Sequence, residues 1–120
     1  MSIVPLLKGD KAAADKISKR ALYWHWPHYS NHGAQSPGGA IRYGEYKLIE
    51  YYENSTAQLF NLRSDSAEAH DLSRSEPGKV QELRAMLHAW RKNVNAAMPV
   101  PNPDYDPNKN WPDGAAVAQP

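Results

Sequence analysis

The four residues Tyr43-Gly44-Glu45-Tyr46 constrain this chain more than any other short stretch. A glycine at the first central position of a two-residue connection supplies the positive φ of a type II′ turn, so a tight hairpin is predicted, joining residues 40–43 to 46–52. The turn fixes the register. Tyr43 then faces Tyr46 and Ile41 faces Leu48, which makes one side of the hairpin aromatic and aliphatic and suited to a core. The other side sets Arg42 opposite Lys47, a like-charge pair that is unfavourable unless an acid lies between them. Two readings of that pair stand: an anion-binding site, or a pair neutralised by Asp65 or Glu68.

Neighbouring segments extend the pattern. Residues 57–62 follow a turn signal at Glu53-Asn54-Ser55 and read as a third strand, and residues 21–26 read as a fourth. Ser75 is a suitable helix N-cap and Pro77 suits a first turn. Val80, Leu83, Met86, Leu87, Trp90 and Val94 then recur at helical spacing through Met98, with Pro99 as the stop. Glu82, His88, Arg91 and Lys92 fall largely outside that stripe and are expected in solvent. The predicted fold is α+β: a small antiparallel sheet of about four strands packed against one long C-terminal helix, with extended N-terminal and C-terminal arms.

Composition supports one small domain. Of the twelve aromatic residues in 120, nine lie between Tyr23 and Phe60, whereas six of the ten prolines come from Pro99 onward. The packed body is therefore placed at 20–98, preceded by a charged linker segment, 1–19, with a brief helix near Ala12 to Ile17. The run Pro99 to Pro107 repeatedly fixes φ and removes backbone donors, so 99–120 reads as an extended arm of polyproline character lying on a surface, disordered beyond Trp111. A formal net charge of +1 and the absence of any one-sign charge run give no footprint for nucleic acid. No apolar run approaches the ~20 residues that span a bilayer, so no membrane partner is expected. There is no cysteine, hence no disulfide framework, thiolate metal site or cysteine nucleophile.

The densest chemistry lies in Tyr23-Trp24-His25-Trp26-Pro27-His28-Tyr29-Ser30-Asn31-His32. Three histidines within eight residues suggest a metal site, but Pro27 breaks the spacing that would aim them at one point, and no carboxylate lies among them. No metal ligand is assigned. Trp24, Trp26 and Tyr29 offer ring faces for a sugar, while His25, His28 and Arg42 offer donors to an anion, which makes these six residues candidates for substrate contact. The plainer reading sends one tryptophan of the strand to the core and one to an interface. No phosphate loop and no Ser/His/Asp set at recognisable spacing occurs, and Asp104 and Asp106 sit in the proline arm, so no catalytic residue is assigned.

The run Arg20-Ala21-Leu22-Tyr23-Trp24-His25-Trp26-Pro27-His28-Tyr29, followed by Ala40 to Glu50, resembles the C-terminal subdomain of bacterial arylsulfatase-type sulfatases. Leu59-Phe60-Asn61-Leu62 with Asp65, Glu68 and Leu72 is similar to that family's last strand, acidic turn and leucine-anchored segment. The opening Ser2 to Gly9 and the arm Pro101 to Pro107 resemble the family as well. The resemblance implies a parent enzyme that hydrolyses sulfate esters with a formylglycine, made within a C/S-x-P-x-R motif, beside a calcium ion. In the family both belong to a large N-terminal domain that this chain lacks. The near match Ser75-Glu76-Pro77-Gly78-Lys79 carries Lys in place of Arg and falls at the start of the final helix, where Ser75 reads as a cap.

The expected function is thus a sulfatase C-terminal subdomain, not an enzyme on its own and holding no cofactor itself, that completes the fold and walls the substrate cleft. The resemblance places the segment from His25 to Tyr29 on a loop bordering that cleft. Expected partners are the missing catalytic domain or a second copy in a homo-oligomer. Two alternatives are a stand-alone module for sulfated carbohydrate and a purely structural, self-associating module. Residues 1–11 do not read as a signal peptide, which points to the cytoplasm, whereas the family is often periplasmic or secreted.

Overall fold

A computed structural model describes residues 3–29, 36–106 and 108. The hairpin forms in the register set by its turn: β2 (Gly38–Tyr43) and β3 (Tyr46–Tyr51) pair Tyr43 with Tyr46, Arg42 with Lys47 and Ile41 with Leu48. Gly44 takes φ +59°, and Glu45 is not among the residues with positive φ, the combination of a type II′ turn. On one side of the hairpin β1 (Leu22–Trp26) pairs with β2, and on the other β4 (Ala57–Asn61) pairs with β3, giving an antiparallel meander in the order β1-β2-β3-β4. The turn before β4 is built by Asn54, whose side-chain oxygen accepts from the backbone and the hydroxyl of Thr56.

One helix, α3 (Pro77–Asn93), covers one face of this sheet. Ile41, Leu48 and Leu59 come from the centres of three neighbouring strands and meet Leu83 and Leu87 of α3; all five are fully buried. Each is worth about 1.5–3 kcal/mol in removal from water. Val80, Met86 and Trp90 extend the contact, and Trp90 stacks on Tyr23 with ring centroids 4.9 Å apart and planes within 3°. The α+β architecture is therefore the one expected, with period-2 and helical stripes meeting in one core.

Both ends of α3 differ from expectation. Ser75 is not the N-cap: Glu76 holds that position without a side-chain cap bond, while the Ser75 hydroxyl donates to the Leu72 carbonyl inside the preceding turn. Glu76 instead accepts from the Tyr46 hydroxyl at 3.0 Å, tying the start of the helix to β3. The far end stops at Asn93 and does not reach Met98. Asn95 adopts left-handed backbone, φ +51°, so that Ala96 N–H reaches the Arg91 carbonyl and Asn95 N–H the Lys92 carbonyl. That pair of bonds closes the helix before Pro99 can act. Val94 and Met98 consequently fall outside the packed stripe and are about half exposed.

The N-terminal arm is less extended than its composition suggests. It carries two short helices, α1 (Val4–Leu7) and α2 (Lys11–Ser18), the second capped by Asp10, which accepts from the backbone of Ala12 and Ala13. The disorder expected beyond Trp111 concerns residues outside the described ones. Among the described residues no helix is long and apolar enough to cross a membrane.

Candidate functional site

Alternation along β1 and β2 divides the candidate residues between the two faces of the sheet. Tyr23 and His25 point toward α3, beside Ile41 of β2; Leu22, Trp24 and Trp26 point away from it, beside Ala40 and Arg42. Trp24 remains 45% exposed on this outer face, and Arg42, one diagonal step from it, is exposed with no ion pair among the described residues. Lys47 is different, since Glu68 meets its ammonium at 2.6 Å. Of the two readings of the Arg42–Lys47 pair, neutralisation by Glu68 holds for Lys47. Asp65 is engaged elsewhere, accepting from the backbone of Ala69 and His70.

Trp26 is half-buried. Its indole N–H donates to the Ser36 carbonyl at 3.0 Å, and its ring lies over Gly38, where an added Cβ would sit 3.3 Å from the ring atoms. His28 and Tyr29 follow Pro27 beyond the end of the strand, and both are exposed. The Tyr29 hydroxyl donates to Glu53 of the β3–β4 turn, and this bond to a carboxylate, aided by burial, pushes the phenol up to about 12. His32, the third histidine of the cluster, lies outside the described residues.

His25 is held at both ring nitrogens. Nε2 lies 2.7 Å from the Ala97 carbonyl and Nδ1 lies 2.6 Å from the Tyr52 hydroxyl. A carbonyl can only accept, so Nε2 carries a proton, and in the neutral ring Nδ1 accepts from Tyr52. His25 thereby fastens the chain after α3 to the sheet.

Behind Tyr52 lies a polar cluster that polarity alone conceals. Glu50 of β3 is only 5% exposed. Three cationic or imidazole groups of α3 surround it: His88 Nε2 at 2.9 and 3.0 Å from its two oxygens, Arg91 Nη1 at 3.1 Å and Arg84 Nε at 3.3 Å. The two guanidinium contacts are ion pairs at angles too poor for hydrogen bonds, so charge rather than alignment holds them. Arg84 also donates to the Ser55 carbonyl, and Arg91 lies over the Tyr52 ring, 5.0 Å from its centroid. Burial raises the Tyr52 phenol above its ordinary value, opposed by the same guanidinium.

Of the residues expected in solvent, His88 is indeed exposed while one edge of its ring meets Glu50, whereas Arg91 is drawn in and largely covered. Arg84, His88 and Arg91 stand at i, i+4 and i+7, a second stripe beside the first, and Glu50 lies two residues from Leu48 on the same strand face. Those two spacings were the available signal. Chemically the cluster is a clamp between sheet and helix, a buried charge balanced on the spot.

Among the described residues no group of three or more His, Cys, Asp or Glu side chains could hold a metal ion. The chain has no cysteine, and the Ser75 hydroxyl is bonded into its own turn.

Comparison with known proteins places this geometry. The family model for the C-terminal part of N-sulphoglucosamine sulphohydrolase matches residues 1–96. A sulfatase of Formosa agariphila is 29% identical over 79% of this chain, which is 18% of that relative. A solved 2-O GAG sulfatase superposes with a TM-score of 0.61 at 23% identity, covering 80% of this chain and 20% of its own. A putative sulfatase of Bacteroides thetaiotaomicron VPI-5482 also gives 0.61 at 23% identity, over 79% of this chain and 20% of its own. The structural likenesses speak to the fold alone, and the chain spans about a fifth of the length of these relatives. With four fifths of its residues matched by one family model, sheet and α3 included, the chain belongs to the N-sulphoglucosamine sulphohydrolase C-terminal family.

Proposed function

We propose that this chain completes the fold of a sulfatase and forms one wall of its sulfated-substrate cleft, without hydrolysing the ester itself. The observation that carries the cleft-wall role is the placing of Trp24 and Arg42 on one open face of the sheet, one diagonal step apart, with both side chains exposed. An indole face stacks on a pyranose ring, and a guanidinium takes a sulfate oxygen pair in its fork. His28 and Tyr29 are exposed beyond the other end of the strand. The non-catalytic half of the proposal draws support from Ser75, the serine of the near-motif, whose hydroxyl is already spent on the Leu72 carbonyl.

Incubating the purified chain with calcium and a chromogenic aryl sulfate tests that half. No turnover is expected, and turnover that survives both Ser75→Ala and repeated purification overturns it. For the cleft wall, a sulfated disaccharide titrated at millimolar concentration is expected to shift amide resonances around Trp24 and Arg42, weakly in the wild type and less in Arg42→Ala. Shifts that ignore both residues overturn it.

The same face favours a second reading, a stand-alone module for sulfated carbohydrate. Calorimetry separates the two: micromolar affinity for a sulfated oligosaccharide by this chain alone supports the module, whereas only millimolar contact fits one wall of a larger cleft.

A further inference from the structure

The two edges of the sheet are treated differently by the rest of the chain. Along β4, Leu59 N–H donates to Asp71 at 3.0 Å, the Leu59 carbonyl accepts from Leu72 N–H at 2.7 Å, and the Asn61 carbonyl accepts from Asp65 N–H at 2.9 Å. The middle of that edge, at Leu59, is closed, as is the Asn61 carbonyl. Along β1, the other terminal strand, no described residue supplies a comparable backbone bond on the outer side. The Trp24 carbonyl points into the sheet, 3.2 Å from where a Cβ on Gly39 would sit. By the alternation of an antiparallel ladder, the outward N–H and C=O groups then belong to Tyr23 and His25. A groove of about 460 Å³ bends around this edge, lined by Arg20, Ala21, Leu22, Tyr23, Trp24 and Trp90.

We propose that two copies of this chain pair edge to edge through β1, antiparallel about a two-fold axis at Trp24. The strand Leu22-Tyr23-Trp24-His25-Trp26 is complementary to itself in that register. Tyr23 of each copy lies opposite His25 of the other, and their outward groups exchange four backbone hydrogen bonds. On the outer face Leu22 meets Trp26 of the second copy and Trp24 meets Trp24, apolar against apolar at every position. The central pair is a non-hydrogen-bonded one, where cross-strand side chains approach most closely. A slip of one residue would set apolar outer-face positions against the helix-facing ones, so the register is specified.

Nothing in β1 opposes the pairing. Edge strands that stay single carry an inward charge, a lysine or a proline, and none of these occurs between Leu22 and Trp26. Pro27, without an N–H, then ends the ladder after five residues, which makes the contact small and the dimer concentration-dependent. A second copy suits the edge better than an unrelated strand because the two-fold uses the same patch twice and leaves no outward group of Tyr23 or His25 unmatched. The pairing does not depend on the cleft-wall reading.

Sedimentation velocity from micromolar to millimolar chain tests the proposal. A monomer–dimer equilibrium is expected, shifted to monomer by Trp24→Lys, which opposes a charge to its own copy while circular dichroism stays unchanged. A chain that is monomeric throughout, or a dimer indifferent to Trp24→Lys, overturns it. Because the chain has no cysteine, a single introduced thiol reports the register directly. Trp24→Cys is expected to form a disulfide-linked dimer under mild oxidant far faster than Gln81→Cys, on the exposed side of α3. Equal rates for the two variants overturn the pairing even if Trp24→Lys fails to fold.

Discussion

The Tyr52 hydroxyl reaches His25 across a position where the sheet has no side chain: Gly39 is the cross-strand partner of His25, and an added Cβ there would lie 2.6 Å from the Tyr52 oxygen. Glycine at this one position lets a residue of the next turn enter the sheet face and orient an imidazole. Gly39→Ala is therefore expected to cost about 1–3 kcal/mol, the usual range for overpacking. Most of that cost should vanish in the background of Tyr52→Phe, where the nearest ring atom stands 3.5 Å away. Urea melts of the four proteins complete the cycle, and additive losses would contradict this account.

Gly38 gives a contrasting case on the same strand. Its added Cβ would meet the Glu50 backbone carbonyl at 2.7 Å, an atom that cannot swing aside. Gly38→Ala should exceed Gly39→Ala in cost and should not be rescued by Tyr52→Phe, as the same melts would show.

Removing Glu50 leaves the largely covered Arg91 without its counter-charge, beside Arg84 and His88, which keep partial access to solvent. Glu50→Ala is expected to lose about 1–3 kcal/mol, less than the penalty of a fully buried uncompensated charge because water reaches Arg84 and His88. Replacing the acid and Arg91 together by apolar residues of similar volume should recover part of the loss. A double variant no better than Glu50→Ala would show that packing, and not charge, sets the cost.

The parallel stack of Tyr23 on Trp90 joins the edge strand to the helix. A double-mutant cycle with Tyr23→Leu and Trp90→Leu should give a coupling of about 0.5–1.5 kcal/mol beyond burial. Strict additivity in thermal melts would remove the stack from the list of stabilising contacts.

Asp65 shows where acid acts. Backbone bonds from Ala69 and then His70 hold its carboxyl below the ordinary value. A carboxyl lowered in the folded state stabilises above its unfolded value, about 3.9, and that contribution is lost as pH falls through the folded value. The stability gap between wild type and Asp65→Ala should therefore be largest near neutral pH and shrink below about pH 4. A gap constant with pH would assign Asp65 a purely steric role.

How much of this was legible before the fold? The hairpin, its register and the core residues Ile41, Leu48, Leu83 and Leu87 follow from a turn glycine and a helical periodicity, because both signals are local; the registers of β1 and β4, and with them the place of Leu59 in the core, are set only by the fold itself. The ends of α3 did not follow. Pro99 is a strong stop, yet Asn95 acts earlier by taking the left-handed conformation that asparagine tolerates better than most residues, a signal that the longer apolar spacing through Met98 masked. Ser75 has the chemistry of a cap but is bonded one turn upstream. The Glu50 cluster left only its spacings as a signal, because each member is polar and only the packing of a strand on a helix 38 residues later brings the four groups together. That Trp24 and Arg42 share a face required the β1–β2 register, and the engagement of both His25 nitrogens required the path of the chain after α3.

The closure of the β4 edge by Asp71 and Leu72 sets an upper limit on how far this sheet can grow. A sheet with two free edges can recruit strands at either side without end, the route to filaments. Among the described residues the middle of the β4 edge is already occupied by its own chain, so growth by recruited strands is favoured at β1 alone and a single recruited strand uses up that template.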